Sequence, residues 1–160
     1  MAKQFLDKIV RRGVPGGRMD VVNLISAGAL IYCKKTHRYL FLLRNGSKHS
    51  GSWGLVGGKI EFGETVVEGL HREIAEELGG VIKDAKLIPI EKFTSDVSKF
   101  EYHTYVINVD EEFVPTLNHE HRGYCWVHLD DYPRPLHPGV WRTFRFASVI
   151  DKIRTLETVL

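Results

Sequence analysis

Three glutamates, Glu73, Glu76 and Glu77, stand at i, i+3 and i+4 within GGKIEFGETVVEGLHREIAEELGG, residues 57–80. On a helix that spacing puts the carboxylates on one face. Six glutamates fall between positions 61 and 77, and Arg72 is the one strong cation among them. Like charges at i,i+4 repel by about 0.2–0.5 kcal/mol at a solvated surface, and by more when shielded from water. A hard divalent cation removes that repulsion, and an all-oxygen donor set suits Mg²⁺ or Mn²⁺. Arg72 can brace one carboxylate with its planar fork, and Glu64, just ahead of the helix, is its natural partner. A Glu-x-x-Glu-Glu run alone is also what a solvated helix face looks like. The fixed offsets Gly58-x5-Glu64-x7-Arg72-Glu73-Ile74-x-Glu76-Glu77-x-Gly79 set this one apart.

The elements that must hold this segment follow from periodicity. Thr65-x-x-Glu68 is a capping box, so a helix begins at Val66, and Gly79 and Gly80 stop it. Val67, Leu70, Ile74 and Leu78 form its buried stripe. Val21 to Cys33 reads as a buried strand, Lys34–Arg38 as a turn, and Tyr39–Leu43 as a second strand closing at Arg44. A polar loop, NGSKHSGSWG at 45–54, leads to a short extended piece at Leu55–Val56. Two strands are expected over about 85–95 and 100–109, then a polar loop at 115–122 and a last strand at Tyr124–Leu129. The Pro-rich piece 132–139 blocks regular structure. The tail 139–158 carries Val140, Phe144, Ala147, Ile150, Ile153 and Leu156 at helical spacing behind Pro138. At the other end Phe5, Leu6, Ile9 and Val10 place a short helix over 4–12, ended by GVPGG at 13–17. The order β-β-loop-α-β-β-β-α describes an α+β domain, a mixed sheet covered by helices.

Composition sets outer limits. A chain of 160 residues corresponds to one domain over 1–160. No apolar run approaches the ~20 residues that span a bilayer, and the N-terminus has no apolar core of the kind a signal peptide needs. Lys and Arg total 22 against 20 Asp and Glu, a net +2, too even for a protein built to grip a nucleic-acid backbone. Cys33 and Cys125, far apart in sequence, fit two buried thiols in a reduced, cytoplasmic compartment better than a disulfide framework or a zinc site.

The segment Gly58–Gly80 resembles the signature of the Nudix hydrolases, the MutT-like family, at every charged and glycine position. Gly80 departs from it, standing where the family usually has an aliphatic residue. Just upstream, Val56 replaces the proline of the common Trp-x-x-Pro-Gly-Gly. Neither change touches a ligand position, and the resemblance covers about residues 22–155. It implies an α/β/α sandwich with a mixed β-sheet, and Mg²⁺- or Mn²⁺-dependent hydrolysis of a nucleoside diphosphate linked to another moiety: ADP-ribose, FAD, a dinucleoside polyphosphate, a nucleotide sugar or a dNTP. Carried over by position, Glu73, Glu76, Glu77 and the Gly57 carbonyl are metal ligands, with Glu73 alternatively helping to deprotonate the attacking water. Glu64 and Arg72 brace the loop-helix.

A base outside the signature varies within the family. Residues 119–121 are the candidates, Glu120 first and His119 and His121 beside it. Arg44, Trp53, Lys59 and His119 are candidates for substrate contact. Lys48 and His49 could touch phosphate, and His103 and Tyr105 could line a pocket. Leu136-His137-Pro138 could form a rigid lid. The expected partner is a small nucleotide derivative, with no membrane or bulk nucleic acid, and a homodimer is left open. Two alternatives stand beside the pyrophosphohydrolase: a GDP-sugar hydrolase cleaving at the glycosyl carbon, and a non-catalytic nucleotide sensor.

Overall fold

The computed structural model describes residues 24–160 and two short strands before them, β1 (Arg11–Gly13) and β2 (Met19–Val21), which pair antiparallel. Residues 4–10 of the expected leading helix lie outside the described residues, and Arg11 and Arg12 belong to β1. Seven strands make the main sheet: β3 (Leu24–Cys33), β4 (Arg38–Arg44), β5 (Trp53–Gly54), β6 (Val56–Lys59), β7 (Ile88–Ser95), β8 (Phe100–Val109) and β9 (His121–Val127). Among the described residues three α-helices accompany them: α1 (Val66–Leu78), α2 (Pro138–Arg145) and α3 (Ala147–Val159).

The buried strand β3 is the centre of the sheet. One of its edges pairs in parallel with β8 from Leu24↔Phe100 to Cys33↔Val109. The other edge is shared: β4 takes Ile31–Cys33 and β6 takes Ser26–Ala29. β4 and β6 therefore part near Leu30, and the candidate site collects where they diverge. β9 covers the far edge of β4, and β7 extends the sheet beyond β8.

Each face of the sheet buries a separate apolar cluster. On one, Leu70, Ile74 and Leu78 of α1 pack on Ala27, Ala29, Val56 and Ile60. On the other, Val140, Val149 and Ile153 of α2 and α3 pack on Leu30, Tyr32, Phe41 and Val106. The result is the expected mixed-sheet sandwich with helices on both sides. Among the described residues no helix is long and apolar enough to cross a membrane.

Several expectations shift in detail. The piece at 55–56 is two strands, β5 and β6, interrupted at Leu55. The last strand starts at His121, three residues early. The C-terminal tail is two helices, because Phe146 (φ −80°, ψ 112°) leaves helical geometry. The break rephases the stripe, so that Val149 faces the core and Ala147 is exposed. Pro138 opens α2 as its first residue instead of excluding helix. Val67 is 43% exposed and falls outside the α1 stripe.

Candidate active site

The site is built around α1. Thr65 Oγ1 accepts the Glu68 N–H at 3.1 Å, which fixes the first turn. At the other end Gly79 takes the left-handed conformation (φ 73°) that glycine adopts without steric cost. The helix is thereby held in one rotation about its axis. With about 100° per residue, Leu70, Ile74 and Leu78 point at the sheet. Glu77 and Glu73 follow on the flank that overlooks β6, and Glu76 is turned about 60° farther out than Glu73.

Glu77 is 2% exposed, and its Oε2 accepts the Gly57 N–H at 2.9 Å. Burial, reinforced by Glu120 and Glu73, pushes its carboxyl up to about 9, against the pull of the Gly57 amide. Glu73 is half-buried. Burial raises its pKa as well, opposed by Arg72 and helped by Glu76 and Glu120. Its carboxylate lies so close to β6 that a Cβ on Gly58 would come within 2.7 Å of it; only glycine admits that approach. Glu120 reaches in from the turn before β9. Its N–H is held by Asn118 Oδ1 at 3.0 Å, and its carbonyl accepts the Asn45 N–H at 2.8 Å.

Oxygen atoms of Glu73, Glu77 and Glu120 all lie within 4.8 Å of one another. Three acids this close, one of them out of water, form a donor set that is unfavourable alone and that fits a hard divalent cation. Glu76 is not brought into this group. Its side chain is 54% exposed and pairs with Arg72 at 3.3 Å.

Arg72 is the brace that the sequence anticipates. Its Nε donates to both Glu64 oxygens at 3.2 and 3.0 Å, Nη1 to Glu73 at 3.1 Å, and Nη2 to the Lys59 carbonyl at 3.0 Å. Hydrogen bonding to Glu64 raises the already high pKa of Arg72 and lowers that of Glu64. Glu64 also accepts the Glu61 N–H at 2.9 Å. The loop ahead of α1, strand β6 and the acid Glu73 are thus tied through one guanidinium.

Beside the acidic group lies a cleft of about 570 Å³ on the α2 face of the sheet. Arg44, Lys48, Lys59 and Arg142 line it, together with aromatic residues Phe93, Phe100, Tyr102 and Trp141, and among the described residues no carboxylate does. The Arg142 guanidinium carbon stacks 3.5 Å over the Phe93 ring. His49, His137 and Pro138 form one wall. His137 caps α2 through Nδ1, which accepts the Gly139 N–H at 3.1 Å, and the strap before it is tied to β5 by Trp53 N–H to the Pro135 carbonyl at 2.9 Å.

The other predicted residues fall elsewhere. Trp53 packs in the apolar cluster under α2 and does not line the cleft. His119 is exposed, and its carbonyl accepts from Asn45 Nδ2 at 3.4 Å. His121 is buried on β9 with neither ring nitrogen hydrogen-bonded, and burial first, then Arg44, holds it neutral with a pKa of about 4. His103 pairs in register with Ala27 on the α1 face, away from the cleft, and Tyr105 packs against the α1 cluster. Residue type and spacing do not single out Tyr102, Arg142, Asn45 or Asn118. Their roles come from strand register and loop hydrogen bonds, which leave no local signature.

Comparison with known proteins agrees with this geometry. The family model described as NUDIX domain matches residues 22–147. The nucleoside triphosphatase NudI of Escherichia coli is 33% identical over 92 residues, 51% of this chain, and the chain spans 64% of the length of that curated relative. A MutT NUDIX hydrolase from Burkholderia pseudomallei superposes with a TM-score of 0.58 at 27% identity, covering 76% of this chain and 95% of that one. The C. elegans Ap4A hydrolase gives a TM-score of 0.62 at 20% identity over 84% of this chain and 99% of that one, a likeness of fold. With the family match running through β3 to α2 and the acid group built on its signature helix, the chain belongs to the Nudix, or MutT-like, family.

Proposed function

We propose that this chain is a Mg²⁺- or Mn²⁺-dependent hydrolase that cleaves a phosphoanhydride bond in a nucleotide derivative. The observation that carries the reading is the convergence of Glu73, Glu77 and Glu120 within 4.8 Å at the edge of a basic, aromatic cleft. Those three carboxylates and the Gly57 carbonyl are the proposed ligands. The chemistry a bound divalent cation supplies here is neutralisation of phosphoryl charge and acidification of a water.

The protein's own groups do the rest. Arg44, Lys48 and Lys59 receive the negative phosphates at the mouth of the cleft. As the alternative to ligation, Glu73 is placed to take the proton of the attacking water, with Arg72 bonded to it at 3.1 Å. Arg72 holds Glu73 at the correct angle, and buried Glu77 locks α1 to Gly57 on β6. The aromatic side chains of the cleft accept the nucleoside. Similarity to a nucleoside triphosphatase puts nucleoside triphosphates first among candidate substrates, ahead of ADP-ribose, FAD, dinucleoside polyphosphates and nucleotide sugars. The free thiols Cys33 and Cys125 support a reducing, cytoplasmic setting.

The test is a substrate panel of those compounds with Mg²⁺, Mn²⁺ or chelator, run in ¹⁸O-water. Metal-dependent turnover with label in the phosphate product is expected. Label in a released sugar assigns the glycosyl-carbon reaction instead, and tight nucleotide binding without turnover assigns a sensor.

A further inference from the structure

The acidic group and the cleft meet where Gly28 of β3 lies opposite Gly57 of β6. Tyr102 reaches that point from β8. It stands in the cross-sheet row Lys59–Ser26–Tyr102–Phe93 and lines the cleft. Its ring lies along the sheet surface toward position 28. A Cβ on Gly28 would sit 2.2 Å from the phenolic oxygen and 3.2 Å from Cζ, so the hydroxyl rests on a seat that only glycine leaves open. Directly across from that seat is the residue whose N–H Glu77 holds.

The phenol thus lies between the acids and the basic mouth of the cleft. Both act on it electrostatically: Glu77 opposes ionisation and Arg44 favours it, while burial, the largest effect, keeps it a neutral O–H. Among the described residues its ring meets Phe100, with centroids 6.3 Å apart, and its hydroxyl has no hydrogen-bond partner. A neutral donor without a partner, beside a carboxylate group suited to a cation and beside Arg44, matches the chemistry of a phosphoryl oxygen.

We propose that Tyr102, seated on Gly28, is a phosphate-contact residue that donates its O–H to the phosphoryl group joining the nucleoside in the cleft to the phosphates at the acidic group. This assignment rests on the nucleotide-hydrolase reading above. It makes Gly28 a positioning residue, since any side chain there displaces the phenol.

Tyr102→Phe keeps the ring and removes only the donor. On the best nucleoside triphosphate of the panel, kcat/KM is expected to fall about 10- to 100-fold, the loss of one hydrogen bond to a charged group. Calorimetry with the α,β-methylene analogue of that nucleotide and Mg²⁺ should show the same weakening. Binding of the parent nucleoside and the melting temperature should stay at wild-type values. Gly28→Ala should bring the same loss, and the double variant no more than Tyr102→Phe alone; if Gly28→Ala does not fold, Tyr102→Phe decides. Unchanged analogue binding overturns the proposal, and so does an equal loss with the nucleoside, which moves the contact to sugar or base. Wild-type protein that binds the analogue but turns over no nucleotide sinks the hydrolase reading, while the comparison with Tyr102→Phe still tests this contact.

Discussion

Replacing the titrating carboxyl of Glu77 by an amide should stabilise the metal-free protein at neutral pH and abolish its turnover. Glu77 is 2% exposed, and its carboxyl is pushed from 4.5 up to about 9. Between those values the folded protein keeps a proton that the unfolded chain has released, so stability falls as pH rises through the window. The slope is about 1.4 kcal/mol per pH unit. His121 and His137, both held down at about 4, work the other way, but only below the unfolded histidine value of 6.5. From pH 6.5 to 9 the Glu77 trend stands clear of them.

In Glu77→Gln the side-chain oxygen still accepts the Gly57 N–H, and the amide can donate toward Glu120. At pH 7 the variant in chelator should therefore exceed wild type by about 3 kcal/mol. For a chain of this size that is roughly 6–12 °C in melting temperature. With Mn²⁺ the order narrows or inverts, because wild type gains about 2.7 kcal/mol at a hundredfold excess of metal over Kd and the variant lacks the ligand. The assay is a melting series at pH 6.5, 7.5 and 8.5, with chelator and with Mn²⁺. A variant melting below wild type throughout the chelator series would falsify the account of Glu77 as a strained, cation-seeking acid. A wild type indifferent to Mn²⁺ would do the same.

Glu73→Gln should slow turnover of the best substrate by a factor of about 100 to 10,000 while leaving the far-ultraviolet dichroism unchanged, read by phosphate or pyrophosphate release. Arg72→Lys keeps the charge but cannot fork between Glu64 and Glu73. It should cost about 1.5–3 kcal/mol of stability and at least tenfold in kcat, and a variant matching wild type in both would remove the bracing role. Thr65→Ala removes one cap at the start of α1. It should lower stability by about 1 kcal/mol, about 2–4 °C in melting temperature, with turnover nearly unchanged; a large loss of kcat would mean that the helix start is coupled to the acids.

The parts of this molecule legible in the sequence are those whose cause is local. The capping box at Thr65, the stop at Gly79 and the pairing of Arg72 with Glu64 all act within one segment of chain, so residue type and spacing suffice. What spacing leaves open is how far each acid turns toward the sheet. Glu73, Glu76 and Glu77 share a helix face on paper. A third of a turn of packing against Ile60 and Val56 then separates buried Glu77 from exposed Glu76. Glu120 was the first candidate outside the signature, and it joins the group only because Asn45 and Asn118 fix the turn that delivers it.

The cleft was the least legible part, and the reason is geometric. Phe93 and Tyr102 face each other across β7 and β8, and the bulge between Pro89 and Glu91 decides that register. A slip of one residue there would turn Phe93 and Ser95 to the opposite face and carry Glu91 with them. Alternation within β7 is weak, since IPIEKFTS offers apolar residues on both faces, so the register is fixed by the partner strand. Trp141 and Arg142 reach the cleft from α2, which ends where Phe146 leaves helical geometry. The signature acids are thus written into one stretch of chain, whereas the cleft beside them is assembled from six strands, the loops between them and a helix. The register of β7 against β8, set by that bulge, decides which side chains line the cleft while leaving the acids of α1 where they are.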